Sequence, residues 1–199
     1  MNHYQGLLEI KMITEHLEDH LGKINFSWKL ENSLLKIAVV EFLNTPNQGI
    51  NTYVTLGLSD CDLYLQTGKI VHQELVFISQ NYSDREDIAS FLLSFSETMV
   101  KKKFGLARGE VVKSKYLLIV NSRLNSIYAT IPIIFNESFW QYNNEIPVVF
   151  SWIVPIYFEE AIGIEKIGWT KFEDFLDDND IPYWNLNRPA IDLSILNGL

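Results

Sequence analysis

The sequence predicts a mixed α/β chain of the α+β kind, with a largely antiparallel central sheet flanked by helices. Three observations carry this expectation. Short alternating or β-rich stretches follow one another between residues 24 and 79, with connections too short for crossover helices, which favours antiparallel pairing. Two Ser/Thr-x-x-Glu patterns, Ser83 with Glu86 and Thr170 with Glu173, each open an amphipathic stretch, as capping boxes do. The run Val148 to Val154, between Pro147 and Pro155, is apolar on both faces, which describes a strand covered on both sides.

Taken in order, residues 6–21 carry Ile10, Ile13, Leu17 and Leu21 at helical spacing, and Gly22 is a natural stop. Ile24, Phe26, Trp28 and Leu30 alternate with polar neighbours, the pattern of a half-buried strand. Asn32-Ser33 turns the chain into a second strand, Leu34 to Leu43, and the cluster Asn44 to Gly49 separates it from a third, Asn51 to Leu58. A turn at Thr67-Gly68-Lys69 precedes the strand Gln73 to Ser79. A helix over about 84–103 carries Ile88, Phe91, Leu92, Phe95 and Met99 as its apolar stripe. Its last turn holds Lys101, Lys102 and Lys103, where the helix dipole favours cations. The reading continues with a loop over 104–115, a short strand at Tyr116–Val120, and an extended stretch from Ile127 to Phe135, in which Pro132 marks an edge or a bulge. The aromatic patch Phe139-Trp140-Gln141-Tyr142 is either a loop folded onto the core or a stacking surface, and Asn143-Asn144 turns after it. After the apolar run, a helix over 157–166 ends near Gly168. A second then carries Phe172, Phe175 and Leu176 inward, with Glu173, Asp174, Asp177 and Asp178 on its other face. No repeat or linker divides the chain, so residues 1–199 read as a single domain.

Composition narrows the function. Hydrophobic residues make up 47% of the 199 positions, a globular proportion. The net charge of -9 argues against nucleic-acid binding, which needs clustered cations; it suits a basic protein partner and equally an ordinary cytoplasmic protein. Cys61 is the single cysteine, so no intrachain disulfide forms, and Asp60 and Asp62 beside it disfavour a reactive thiolate. The N-terminus lacks the pattern of a signal peptide, and no stretch approaches a membrane span. The expectation is a soluble, cytoplasmic protein. His16 and His20 share a helix face and, with Glu15 or Asp19, are candidate metal ligands; the alternative is a half-exposed pair flanking the core stripe. The motifs of phosphate-binding loops, dinucleotide folds, nucleophile elbows and redox CxxC pairs are all absent. Glu159 and Glu160 are adjacent on a helix and so do not converge as an acid/base pair.

An ordered set of motifs resembles the suppressor of fused-like domain family. TYVTLGLSD at 52–60 is similar to that family's strand ending in a Gly-Leu-Ser-Asp turn, with Ser59 and Asp60 in the turn. QELVFIS at 73–79 resembles the strand that follows, and a long helix, a glycine-containing loop and YLLIV at 116–120 come next in the family's order. VFSWIVPIYFEEAIGIEKIGWTKFEDFL at 149–176 and WNLNRP at 184–189 complete a resemblance over roughly residues 10–190. One departure is that Asn185 and Asn187 stand where the family pattern puts an acidic residue before the arginine.

The resemblance implies a suppressor of fused-like α+β fold, no enzymatic activity, no cofactor, and a role in binding another protein. In size and style the chain is similar to bacterial members that act as antitoxin or immunity proteins in polymorphic toxin systems. The leading expectation is therefore a non-enzymatic antitoxin that neutralises a cognate toxin, a nuclease with a basic cleft being the chemistry that fits. The alternatives are a regulatory scaffold unrelated to toxins, or an enzyme. Candidate contact residues are Glu159, Glu160, Glu173, Asp174, Asp177, Asp178, Trp184 and Arg188; Trp152, Trp169 and Tyr183 are further aromatic candidates, with Trp152 better suited to the core. Arg188 is also suited to pairing with Asp180 or Glu160, as a clasp for the C-terminal loop. Nothing in the sequence sets an oligomeric state.

Overall fold

The computed structural model describes residues 3–30, 35–80, 85–114, 116–120, 122–143 and 145–193, with side chains described from Met12 onward. Among them are four helices, α1 (His3–Leu21), α2 (Arg85–Lys102), α3 (Phe158–Ile167) and α4 (Trp169–Asp178). The strands are β1 (Phe26–Lys29), β2 (Ala38–Phe42), β3 (Ile50–Leu56), β4 (Leu63–Tyr64), β5 (Ile70–Gln80), β6 (Val111–Lys113), β7 (Ser126–Thr130), β8 (Gln141–Tyr142) and β9 (Val148–Ile156). They form one nine-stranded sheet in the order β1-β2-β3-β5-β9-β7-β6, with β4 beside β5 and β8 beside β9. All pairs are antiparallel except β5 with β9, so the expected mixed, largely antiparallel sheet flanked by helices is what forms.

Strand β9 is the centre. It pairs in parallel with β5, from Val148 opposite His72 to Trp152 opposite Val76, and antiparallel with β7, from Trp152 to Ile156. Pro155 sits beyond the last residue paired with β5, where its missing N–H interrupts no ladder on that side. Successive β9 side chains feed opposite layers. Phe150, Trp152 and Val154 join Leu17 of α1, Ile164 of α3 and Phe172 and Leu176 of α4 on one face. Ile153 joins Leu75, Phe77, Ile127 and the α2 residues Ile88, Leu92 and Met99 on the other. Two buried layers on one sheet explain why the run lacks alternation.

Several expectations are corrected. Tyr116–Val120 is not a strand: it follows β6 as an irregular turn, and the strand lies earlier, at Val111–Lys113, inside the stretch read as a loop. Thr170 does not cap α4, which begins at Trp169 with Gly168, at φ 86, in the capping position. Strand β7 ends at Thr130, before Pro132. Phe26 and Trp28 do share a face, as the alternation predicts, but β1 is an edge strand and leaves Phe26 51% exposed. Phe139 is fully buried against Phe150, so that aromatic patch folds onto the core. The Asn32-Ser33 turn, Ser83 and Asn144 lie outside the described residues, as does the side chain of Ile10. Among the described residues no helix is long and apolar enough to cross a membrane.

Candidate functional site

The carboxylates sort into two populations, and this sorting defines the site. Four glutamates are drawn inward onto donors that lie far away in sequence. Glu74, on β5, is fully buried. It accepts from Thr55 Oγ1 at 2.6 Å, from the N–H groups of Gly57 at 2.9, Leu58 at 3.3 and Ser59 at 3.1 Å, and from Ser59 Oγ at 2.7 Å. The Gly-Leu-Ser-Asp turn is therefore a cradle of amides closed around a carboxylate. Gly57 is needed there: its φ is 96, and an added Cβ would lie 2.6 Å from the Lys36 carbonyl oxygen. Burial pushes the Glu74 carboxyl up to about 7 against the pull of these donors. Ser59 is consumed by this cradle, and Asp60 is left at the surface.

Glu160 and Arg188 form the second inward group. Arg188 Nη1 and Nη2 each donate to Glu160 at 2.6 Å, with the two side chains 2% and 0% exposed. The same carboxylate accepts from the Tyr157 N–H, at the head of α3, and from the Ile191 N–H. Tyr157 Oη donates in turn to the Arg188 carbonyl at 2.7 Å. This is the clasp foreseen as one option for Arg188, with Glu160 and not Asp180 as its partner. Neither residue offers a surface to a partner, because the charge of each is enclosed and neutralised by the other.

Glu41, on β2, is likewise fully buried and accepts from Arg85 Nε at 2.6 Å and Nη2, and from Asn25 Nδ2 at 2.8 Å. The Arg85 guanidinium lies 5.8 Å from the Phe26 ring centre and 5.5 Å from that of Trp28. Glu173 was expected on the outer face of α4, but it turns to the sheet. It accepts from Tyr128 Oη and Thr130 Oγ1, both at 2.6 Å, and from Arg108. Burial would raise its carboxyl, yet Arg108, Thr130 and Tyr128 together hold it below the usual value. The Arg108 guanidinium also stacks 4.7 Å over Trp169.

The second population faces outward. Phe172 and Leu176 bury the inner side of α4, and Asp174, Asp177 and Asp178 stand exposed on the rest of it. Glu159 is exposed at the first turn of α3. Trp169 is 38% exposed beside this face, whereas Trp184 is half-buried and packed on the core, and Trp152 is core. The structure thus brings Asp174, Asp177 and Asp178 together on one anchored helix and withdraws Glu160, Glu173 and Arg188 from it.

The histidine pair is held by other bonds. His20 uses Nδ1 on the His16 carbonyl oxygen at 2.8 Å and Nε2 on Ser138 Oγ at 3.0 Å. The His16 ring packs 5.4 Å from Phe150, and burial lowers its pKa. Among the described residues no cluster of three or more His, Cys, Asp or Glu side chains is placed to hold a metal.

Glu41, Glu74, Arg85 and Arg108 were missed as key residues. A usable signal existed for two of them: Glu41 in AVVEF and Glu74 in ELVFIS interrupt apolar strands, where a charge persists only with partners.

Comparison with known proteins agrees with these motifs. The family described as suppressor of fused protein matches residues 33–189. A putative suppressor of fused homologue from Neisseria gonorrhoeae has the same fold, with a TM-score of 0.69 and 17% identity over 94% of each chain. A chain of the Sufu–Fu complex superposes with a TM-score of 0.69 and 13% identity, covering 96% of this chain and 92% of that one. Drosophila Suppressor of Fused matches with a TM-score of 0.65 and 15% identity over 96% of this chain, which spans only 52% of the Drosophila protein. No curated protein matches the chain.

Proposed function

The chain belongs to the suppressor of fused family, and from that premise we propose that it is a protein-binding module without catalysis of its own. Its contact surface is the exposed acidic face of α4. The observation that carries this reading is the division among the carboxylates. Glu41, Glu74, Glu160 and Glu173 are spent on fixing strands, turns and helices, and Asp174, Asp177 and Asp178 stand free of the core on a helix that Glu173 pins to β7. An anchored face on which three aspartates outnumber the one exposed lysine, Lys171, suits electrostatic capture of a basic protein surface. One fold relative comes from a complex of two proteins, Sufu and Fu, and we carry that protein-binding role over to this chain. Residues 1–199 act as one such domain in this reading.

We further propose that the partner is a toxin domain with a basic active-site cleft, such as a nuclease, and that this chain is its cytoplasmic antitoxin. The support is the resemblance to bacterial immunity proteins, together with the net charge of -9. A regulatory scaffold unrelated to toxins is the second reading, and the likeness to the Sufu–Fu complex favours it at least as well.

Capture of partners from the native cell, followed by association kinetics, tests the common part. Reversing Asp174, Asp177 and Asp178 to lysine should slow association about tenfold or more at low salt, the difference fading as salt screens it. Unchanged kinetics would reject the α4 face. Co-expression with a neighbouring toxin separates the two readings: continued killing with no complex on a sizing column removes the antitoxin and leaves the scaffold.

A further inference from the structure

A small notch opens between α4 and the sheet, on the flank of the acidic face. Its floor is Trp152 of β9 and Tyr128 of β7, both buried. Ile133, Glu173, Asp177 and Tyr183 surround its mouth. The space is about 20 Å³, room for a single group the size of a water molecule.

The chain builds this notch by doubling back after α4. Asp180 takes a φ of 48, the Ile181 N–H donates to the Leu176 carbonyl at 3.4 Å, and the Tyr183 N–H to the Ile181 carbonyl at 2.9 Å. Tyr183 is thereby laid edge-on against Trp152, with ring centres 5.8 Å apart. Aromatic side chains thus line a space whose mouth carries two carboxylates, and the two differ in availability. Glu173 is matched by Arg108, Tyr128 and Thr130. Asp177 follows one turn later, is exposed, and has no ion pair among the described residues. Burial, and after it the charges of Asp177 and Glu173, push the Tyr183 phenol up, so the ring stays neutral beside an available aspartate.

We propose that the notch receives one lysine side chain of the basic partner. Its ammonium matches the size of the space and sits among the rings of Trp152 and Tyr183, with Asp177 as counter-charge. Ring faces and a carboxylate together replace the water that the ammonium gives up. The planar guanidinium of arginine is too large for the space, so the notch selects lysine. The inference rests on α4 being the contact face and names the side chain which that face recognises. Asp174 and Asp178 speed the encounter, and the notch slows the departure.

A peptide display library panned on the whole protein, followed by binding kinetics of the enriched peptides, tests it. Each enriched peptide should hold one lysine whose replacement by arginine or by norleucine raises the dissociation rate about tenfold or more. Ile133→Trp closes the mouth from an exposed position without changing a charge. Asp177→Asn removes the counter-charge and keeps the shape. Both variants should raise the dissociation rate of the lysine peptides about tenfold. The proposal is overturned by a failure to enrich any peptide, by enriched peptides that lack lysine, by arginine or norleucine peptides that bind as well as the lysine parent, or by dissociation unmoved in both variants. Asp174→Lys with Asp178→Lys tests the face apart from the notch, since neither residue lines it. Slowed association there with unmoved dissociation in Ile133→Trp and Asp177→Asn removes the notch and leaves the face. The reverse result upholds the notch and removes the steering role of the face.

Discussion

Arg188 closes on Glu160 through both terminal guanidinium nitrogens, each 2.6 Å from a carboxylate oxygen, across 28 residues of chain. The pair ties the head of α3 to the loop that ends the described chain, since Glu160 also accepts from Tyr157 and Ile191 amides. Arg188→Ala leaves a buried carboxylate without its counter-charge and should cost about 3–5 kcal/mol in urea unfolding. Arg188→Lys should recover little of this, because one ammonium cannot span both oxygens as the planar fork does.

Glu74 should behave as the keystone of the strand-turn motif. Glu74→Ala strands the buried amides of Gly57, Leu58 and Ser59, each worth about 1–3 kcal/mol when left unpaired. The expected result is a large fall in Tm. Ser59→Ala removes a single donor and should cost only about 1 kcal/mol. Equal effects from the two substitutions would show that the cradle is not what holds the turn.

Acid stability depends on Glu173. Its folded pKa lies below the usual value of 4.5, so its contribution is present above that pH and is lost as pH falls through the folded value. Stability curves for the parent and Glu173→Gln should therefore differ at neutral pH and converge in acid. Arg108→Ala should reproduce part of the effect and raise hydrogen exchange in α4, because the guanidinium bridges Glu173 and the Trp169 ring.

Cys61 should be a slow thiol. Burial first, and then the charges of Asp60, Glu74 and Asp62, push its pKa up. Reaction with a thiol reagent at neutral pH should run slower than for a free cysteine. Asp62→Asn should accelerate it, and a fast-reacting parent protein would contradict the placement.

Local pattern was enough to find most elements. The period of about 3.6 in α2 and the alternation in β1 are properties of neighbouring residues, and both survive in the fold. YLLIV shows where that reading stops: its residues favour a strand, but β7 already has β9 on one side and Val111–Lys113 on the other, and the chain turns irregularly at 116–120 instead of pairing with the sheet.

The sequence by itself determined the α+β class, the family motifs and the acidity of the C-terminal third, because each of these is written in adjacent residues or in composition. Only the tertiary structure decided which acids are surface. Glu173 and Asp174 are neighbours on one helix, yet Glu173 is claimed by Thr130, Tyr128 and Arg108, which lie 43, 45 and 65 residues away in sequence. Asp174 meets no such group among the described residues and stays exposed. Burying a charge is tolerated only where donors converge on it, and that convergence is set by how distant strands and loops stack, which no local period encodes.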